Sequence, residues 1–378
     1  MKTITLATTP IQTVIQETIA VLQSGGLVLF PTETTYGAGV DATNQAAVDK
    51  LLAYKSRREG KPLSIMVTNQ EMAEQYVVVN QQAALLYAQF LPGPVTVVSN
   101  TLKQPEHSKN RIAQGVASEF DTIGIRIPDY ELMLKITQAL GKPITATSAN
   151  ASGKKRPYSV ADIFSGLSQK QKNLIDLVLD AGELPKNEPS TVIDTTLSTP
   201  VTLRSSNRKN HIQMSEKQSN NTTTTVITSN SQEETEKIAG RLLLKHWDRI
   251  RETGLVIALD GDLGVGKTVF AKGSAKFLKI EDLIKSPTYS YIEEYDFTRH
   301  QTSGRLYHLD MWKVASKELY QELAVEQLLK PNTVVVIEWF SQIAEYIQEA
   351  IKQNNSALVQ ITLLQEGETR KLTIIESL

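Results

Sequence analysis

The chain has 378 residues, with 40 lysines and arginines against 41 aspartates and glutamates, a formal net charge of −1 and no cysteine. That length exceeds one typical core and favours two domains. The charge gives no general pull toward a polyanion, and the missing thiols exclude disulfides, thiolate metal sites and a cysteine nucleophile. The opening segment has no unbroken apolar run of the kind a signal peptide needs, and no stretch is long enough to span a bilayer. No membrane association and a cytoplasmic location are therefore expected.

In chain order, Pro10 to Gln23 has helical spacing and leads to the apolar run GLVLF. LSIMV, VTVV, IGIRI, PITAT, LVLD, TVID and VTLR follow, with a further helical pattern over Tyr130 to Leu140. Short apolar runs alternating with helices predict an α/β domain over 1–210. Three of its segments carry candidate chemistry. FPTETTYG closes the first strand. KSRREGKPLS holds Lys55, Arg57, Arg58 and Lys61 within seven residues, enough cations to clamp a triphosphate or a carboxylate, although a solvated basic helix end has the same composition. TATSANASG presents the Ser148 hydroxyl and the Asn150 amide after a strand, suited to oxyanion contacts or equally to a helix cap.

From Ser205 to Ser231 the text is polar, poor in aliphatics and low in complexity, and cannot bury a core. Residues 211–223 are read as a linker and 224–378 as a second domain. The formal charge splits into roughly +3 before residue 210 and roughly −4 after it, so neither half resembles a DNA-coating domain. Beyond the linker an amphipathic helix over Glu233 to His246 precedes LVIALD, RLYHLD and TVVVIEW. These read as buried strands separated by helices, predicting a mainly parallel sheet.

GDLGVGKT, Gly261 to Thr268, completes the pattern G-x-x-x-x-G-K-T between the strand LVIALD and the helical VFAKGSAKFL. In such a loop, glycines let backbone N–H groups wrap phosphates, Lys267 reaches the β and γ oxygens, and the Thr268 hydroxyl ligates magnesium. Two more strands end in acids, Asp310 and Glu338, and in a parallel sheet those ends open on the same crevice. Asp310 suits a magnesium-holding role. Glu338 suits metal ligation, directly or through water, or the orientation of an attacking water. SPTY, Ser286 to Tyr289, suits a segment that senses the γ-phosphate. No N-K-x-D follows the loop, which favours ATP over a guanine nucleotide.

GDLGVGKT, SPTY, His308-Leu309-Asp310-Met311-Trp312-Lys313 and Glu338-Trp339 together resemble the bacterial TsaE (YjeE) ATPases, which assist tRNA threonylcarbamoyladenosine (t6A) formation. The family carries Tyr-Arg where this chain has Trp312-Lys313, and commonly alanine where it has Val265. The resemblance implies a P-loop NTPase fold, with ATP contacts at Thr235, Asp262, Gly264, Val265, Gly266, Lys267 and Thr268, and Mg2+ held by Thr268, Asp310 and Glu338.

The first domain resembles the YrdC-type threonylcarbamoyl-adenylate synthases. The motifs are PTETTYGAG from Pro31, Lys55-Ser56-Arg57 with Lys61-Pro62-Leu63, Pro92-Gly93-Pro94-Val95-Thr96, Ile125-Arg126-Ile127-Pro128, Ser148-Ala149-Asn150, Ser190 to Asp194 and Leu203-Arg204. The resemblance implies a twisted mixed sheet enclosing a central cavity. It also implies formation of threonylcarbamoyl-AMP and pyrophosphate from L-threonine, bicarbonate and ATP. Thr34, Arg126 and Ser190 match threonine positions, with Arg126 facing the carboxylate. Lys55, Arg57, Lys61, Thr122, Ser148, Asn150 and Arg204 match positions around ATP or the adenylate. Lys55, Arg57, Ser148, Asn150 and, in the second domain, Glu338 are the catalytic candidates. Two departures touch the pocket: Met66 stands where the family often has histidine, and Ser205-Ser206 replaces a glycine-containing tail.

The combined expectation is a bifunctional t6A protein whose partner is a separate transferase complex of the TsaD/TsaB type, with direct tRNA contact left open. A double-stranded RNA-binding module with a regulatory ATPase, and a small-molecule kinase, are the alternatives. Steep salt dependence of RNA binding would mark the first. Phosphate transfer to an acceptor other than water would mark the second.

Overall fold

Val, Ile and Leu runs too short for helices pair as strands, and the amphipathic stretches between them cover the sheet faces. The computed structural model describes residues 1–55, 62–103, 108, 111–151, 154–198, 200–204, 217–219, 222–314 and 316–377. The chain divides into two units, Met1–Thr196 with Pro200–His211, and Leu197–Thr199 with Ile212–Leu378. No helix among the described residues is long and apolar enough to cross a membrane.

Among the described residues the first unit has ten strands: β1 (Lys2–Thr5), β2 (Val28–Phe30), β3 (Gly37–Gly39), β4 (Ser64–Met66), β5 (Val95–Asn100), β6 (Thr122–Arg126), β7 (Ile144–Ser148), β8 (Leu177–Asp180), β9 (Thr191–Asp194) and β10 (Val201–Arg204). They form one sheet in the order β1-β8-β2-β3-β7-β4-β6-β5-β9-β10, with parallel and antiparallel pairs interspersed. Helices Ile11–Gln23 and Glu131–Leu140 supply Val14, Leu22, Met133 and Ile136 to a core with Val28, Phe30, Met66 and Leu177. β3 is made of Gly-Ala-Gly because the sheet closes tightly there. A Cβ on Gly37 would stand 2.7 Å from the Phe30 ring, and one on Gly39 would stand 2.3 Å from the Thr145 carbonyl oxygen.

Among the described residues the second unit has eight strands: β11 (Lys217–Ser219), β12 (Thr222–Ser229), β13 (Leu255–Gly261), β14 (Ile292–Arg299), β15 (Thr302–Asp310), β16 (Thr333–Glu338), β17 (Ala357–Glu366) and β18 (Thr369–Ser377). Their order is β11-β12-β18-β17-β13-β16-β15-β14. Only the centre, β17-β13-β16-β15, is parallel. The β14–β15 pair at one edge and β11, β12, β18 and β17 at the other pair antiparallel, which corrects the expected mainly parallel sheet to a mixed one. The β17–β18 hairpin turns at Gly367, whose φ of 62° a glycine adopts without strain. The tract 211–223, read as linker, carries β11 and the start of β12, whose β-branched threonines pair with β18 despite their polarity.

Helices Gln232–Lys245 and Lys267–Leu278 pack closely, and a Cβ on Gly273 would stand 2.5 Å from the Glu236 Cα. Thr268 opens the second of these helices, one residue in, while Asp310 and Glu338 are cross-strand partners at the ends of β15 and β16.

Candidate functional site

In the first unit, β2 runs into the PTET turn and β6 ends at Arg126, so residues far apart in sequence meet beside the sheet. Arg126 Nη2 donates to Glu33 Oε1 at 2.8 Å and to Thr34 Oγ1 at 2.9 Å, and Thr32 and Thr34 hydroxyls lie 3.1 Å apart. Arg126 Nε and Glu33 Oε2 are both buried without a hydrogen-bond partner among the described residues. Met66 is fully buried on β4, in cross-strand register with Arg126, and belongs to the core with Phe30 and Met133.

A second cluster forms at β9 and β10. Arg204 donates through Nη2 to Ser190 Oγ at 2.8 Å and through Nε to the Ser190 carbonyl at 2.9 Å, while Thr96 Oγ1 donates to Ser190 Oγ at 3.1 Å. Burial lowers the Arg204 guanidinium to about 10, and repulsion from Arg156 and Arg126 adds to the shift. Arginine does not release its proton under ordinary conditions. The Arg204 guanidinium therefore stays charged, with Arg156 and Arg126 near enough to repel it.

A third cluster is built around Lys55, at the end of helix Gln45–Lys55 and 4% exposed. Its ammonium donates to the carbonyls of Ser148 at 2.7 Å and Asn150 at 2.6 Å. Ser148 Oγ donates to Asn150 Oδ1 at 2.6 Å, and the Tyr54 hydroxyl donates to the Ala149 carbonyl. Lysine and tyrosine thus hold the Ser-Ala-Asn turn from beneath. Thr122 instead pairs with Ser118, hydroxyl to hydroxyl at 2.7 Å. Arg57 and Lys61 lie outside the described residues.

In the second unit, the turn after β13 places Gly261, Gly264 and Gly266 at φ of 142°, 78° and 111°, a backbone that glycine allows and Cβ-bearing residues resist. Asp262 is exposed on this loop and Val265 is buried beneath it. Lys267 Nζ donates to the carbonyls of Gly261 at 2.7 Å and Asp262 at 2.8 Å, and lies 3.8 Å from the Trp339 ring centroid. Burial pulls this ammonium below its usual range, opposed by the carboxylates of Glu338, Asp310, Asp260 and Asp262.

Thr268 Oγ1 donates to Glu338 Oε1 at 2.8 Å, and His308 Nε2 meets the same oxygen at 2.8 Å. Asp310 Oδ2 accepts from the hydroxyls of Ser286 and Thr288, each at 3.0 Å, and Oδ1 accepts from the Trp312 N–H at 3.1 Å. The SPTY segment is thereby tied to the acid at the end of β15. Thr268, Glu338 and Asp310 offer only oxygen donors, which suits Mg2+ held jointly with phosphate groups. Among the described residues no cluster of three or more histidine, aspartate or glutamate side chains would hold a metal alone. Thr235 is fully buried; its hydroxyl meets that of Ser229 at 2.8 Å and donates to the Ser231 carbonyl at 3.2 Å.

Four residues at these sites escape the motif reading: Glu33, Arg156, His308 and Arg370. Glu33 and His308 stand inside quoted motifs, so their signal was present. Arg370 on β18 had none: it is placed by the sheet, where a Cβ on Gly266 would stand 3.1 Å from its Nε, and that Nε is buried without a partner among the described residues.

Two mixed α/β units are thus present, one gathering guanidiniums and a buried lysine beside small hydroxyl residues, the other setting a glycine loop and two acids at the end of a parallel centre. The Sua5/YciO/YrdC family model, described as telomere recombination, matches residues 20–206, and the model described as threonylcarbamoyl adenosine biosynthesis protein TsaE matches 229–372. A threonylcarbamoyl-AMP synthase of Photobacterium profundum is 31% identical over 186 residues, 48% of this chain and 97% of that protein. One of Pyrococcus abyssi is 36% identical over 184 residues, 48% of this chain and 51% of its own length. The crystal structure of P. abyssi Sua5 complexed with L-threonine has a similar fold, with a TM-score of 0.50 at 20% identity, covering 95% of this chain and 99% of that one. The chain belongs to the Sua5/YciO/YrdC family, joined to a TsaE-family domain.

Proposed function

We propose that the first unit converts L-threonine, bicarbonate and ATP into threonylcarbamoyl-AMP and pyrophosphate, and that the second binds and hydrolyses Mg-ATP in support of t6A formation. The threonylcarbamoyl group then passes to tRNA on a separate transferase complex of the TsaD/TsaB type. The working division is 1–210 for the synthase, 211–223 between the units and 224–378 for the ATPase. The protein works in the cytoplasm.

In the first reaction threonine's α-ammonium gives up a proton, and the resulting amine captures bicarbonate with loss of water to give a carbamate. A carbamate oxygen then attacks the α-phosphorus of ATP, and pyrophosphate leaves. No covalent enzyme intermediate is needed, so positioning and charge stabilisation carry the rate. Arg126 with Thr34 and Ser190 holds threonine. Lys55, Arg57, Lys61, Thr122, Ser148, Asn150 and Arg204 surround the nucleotide. In the second unit the 261–268 loop and Lys267 take the phosphates and Thr235 stands near the nucleotide. Thr268, Asp310 and Glu338 would hold Mg2+, which would supply charge neutralisation, and Glu338 would ligate it or orient the attacking water.

The observations that carry the first reading are Arg126 bonded to the Thr34 hydroxyl and Arg204 bonded to the Ser190 hydroxyl, guanidiniums with hydroxyl donors suited to a carboxylate and a polyphosphate. Incubating the full chain with threonine, bicarbonate and ATP should give a product with the mass of threonylcarbamoyl-AMP. Formation of AMP or ADP alone would sink the synthase reading. Labelled ATP should release its γ-phosphate to water, and transfer to another acceptor would replace the ATPase reading with a kinase.

A further inference from the structure

His308 lies on β15 two residues before Asp310 and is fully buried. Its Nε2 stands 2.8 Å from Glu338 Oε1, and because a metal-binding carboxylate offers only acceptors, Nε2 is the donor. The other ring nitrogen, Nδ1, is sealed off with no partner among the described residues. Leaving a buried nitrogen unpaired costs roughly 1–3 kcal/mol, and a leucine at this position of the strand would avoid that cost. What the imidazole adds is its single bond to Glu338. Thr268 Oγ1 donates to the same Oε1 at 2.8 Å, which aims the hydroxyl hydrogen at the carboxylate and leaves the lone pairs of that oxygen uncommitted. Glu338 Oε2 takes no bond from the described residues and is not sealed off.

We propose that His308 is a positioning residue for the metal: by anchoring Oε1 it fixes the Glu338 carboxylate, and through it the Thr268 hydroxyl, so that Oε2 and the Thr268 lone pairs are left free for Mg2+ arriving with a nucleotide. The proposal rests on reading Thr268 and Glu338 as Mg2+ ligands. His308 is enclosed and touches neither metal nor nucleotide; it acts only through Glu338. A single N–H donor suits that task, because it holds one carboxylate oxygen and leaves the other open, whereas an arginine fork would take both. The two-residue spacing from His308 to Asp310 puts both side chains on one face of β15. The strand that supplies one acid to the site therefore also fixes the acid of its neighbour β16.

The test is the gain in nucleotide affinity that Mg2+ brings. All three tryptophans, Trp247, Trp312 and Trp339, belong to the second unit, and the Trp339 ring lies 3.8 Å from Lys267 Nζ, so tryptophan emission reports binding at the 261–268 loop and not in the first unit. The full chain would be titrated with the non-hydrolysable β,γ-imido analogue of ATP, once in EDTA and once in Mg2+. The parent should bind more tightly in Mg2+. His308→Leu, which fills the space without a donor, should lose on the order of 10-fold or more of that Mg2+-dependent gain while keeping its affinity in EDTA, which also shows that the loop is folded. His308→Gln, whose side-chain amide puts a donor back toward Oε1, should recover most of the loss. A leucine variant that keeps the whole gain, a glutamine variant no better than leucine, or an equal loss with and without Mg2+ overturns the role of His308. A parent whose affinity Mg2+ does not raise overturns the reading of Thr268 and Glu338 as metal ligands, a result distinct from the other three.

Discussion

Replacing Lys55 by Met separates the two units' chemistry and tests how the Ser-Ala-Asn turn is held. Methionine keeps an unbranched stem of similar reach in a position that is 4% exposed, so packing is largely retained. What disappears is the ammonium that donates to the Ser148 and Asn150 carbonyls at 2.7 and 2.6 Å. Hydrogen bonds from a charged donor contribute roughly 1.5–3 kcal/mol each, and removing a buried charge recovers part of its desolvation cost. The net loss is about 2 kcal/mol, which for a unit of this size lowers its melting temperature by roughly 4–8 °C. Activity should fall further, because the cation and the turn it supports are lost together: synthesis of threonylcarbamoyl-AMP drops on the order of 10²-fold or more. Mass-detected product, scored beside phosphate release from ATP in the same preparation, is the assay. Hydrolysis by the second unit should be unchanged. Loss of both activities together would refute two independent sites, and unimpaired synthesis would refute the role of the buried ammonium.

The reciprocal change, Lys267→Ala, removes the cation held over the 261–268 loop and should abolish ATP hydrolysis while sparing adenylate synthesis, measured with the same pair of assays. Arg204→Gln removes a charge that Arg156 and Arg126 repel. Without ligand it should therefore melt within a few degrees of the parent, but it should lose most of the thermal stabilisation that pyrophosphate gives the parent; an equal pyrophosphate shift in both would contradict the crowded-guanidinium reading. Burial pushes the Glu376 carboxyl up, yet hydrogen bonds from His246 and Lys245 at 2.7 Å prevail and hold it below its ordinary range. Its contribution to stability is therefore present above the unfolded carboxyl pKa and is lost as pH falls through the lower folded one. Glu376→Gln should accordingly destabilise the second unit at neutral pH and much less in acid, as followed by melting across pH.

Eight of the first unit's ten strands stand out as apolar runs, because a strand buried on both faces needs consecutive Val, Ile and Leu. The two that do not are KTIT at the edge, mostly exposed, and GAG, whose composition reads as a turn. GAG is a strand because Phe30 and the Thr145 carbonyl approach too closely for any side chain, a constraint that exists only once the sheet has closed. The mixed character of the second sheet was partly visible in ITLLQEGETRKLTI, where alternation on both sides of a glycine is the pattern of a hairpin. The chemistry divides in the same way. Loop glycines, Lys267, the strand-end acids and the basic cluster are local in sequence and legible there. The contacts that define what a pocket accepts are not: Glu33 meets Arg126 across 93 residues, and Arg370 reaches the 261–268 loop only through the antiparallel wing of its sheet. Local motifs thus announce that a phosphate or an amino acid is to be bound. Pairings such as Glu33 with Arg126 join residues that only the closed sheet brings together, so no local motif announces them.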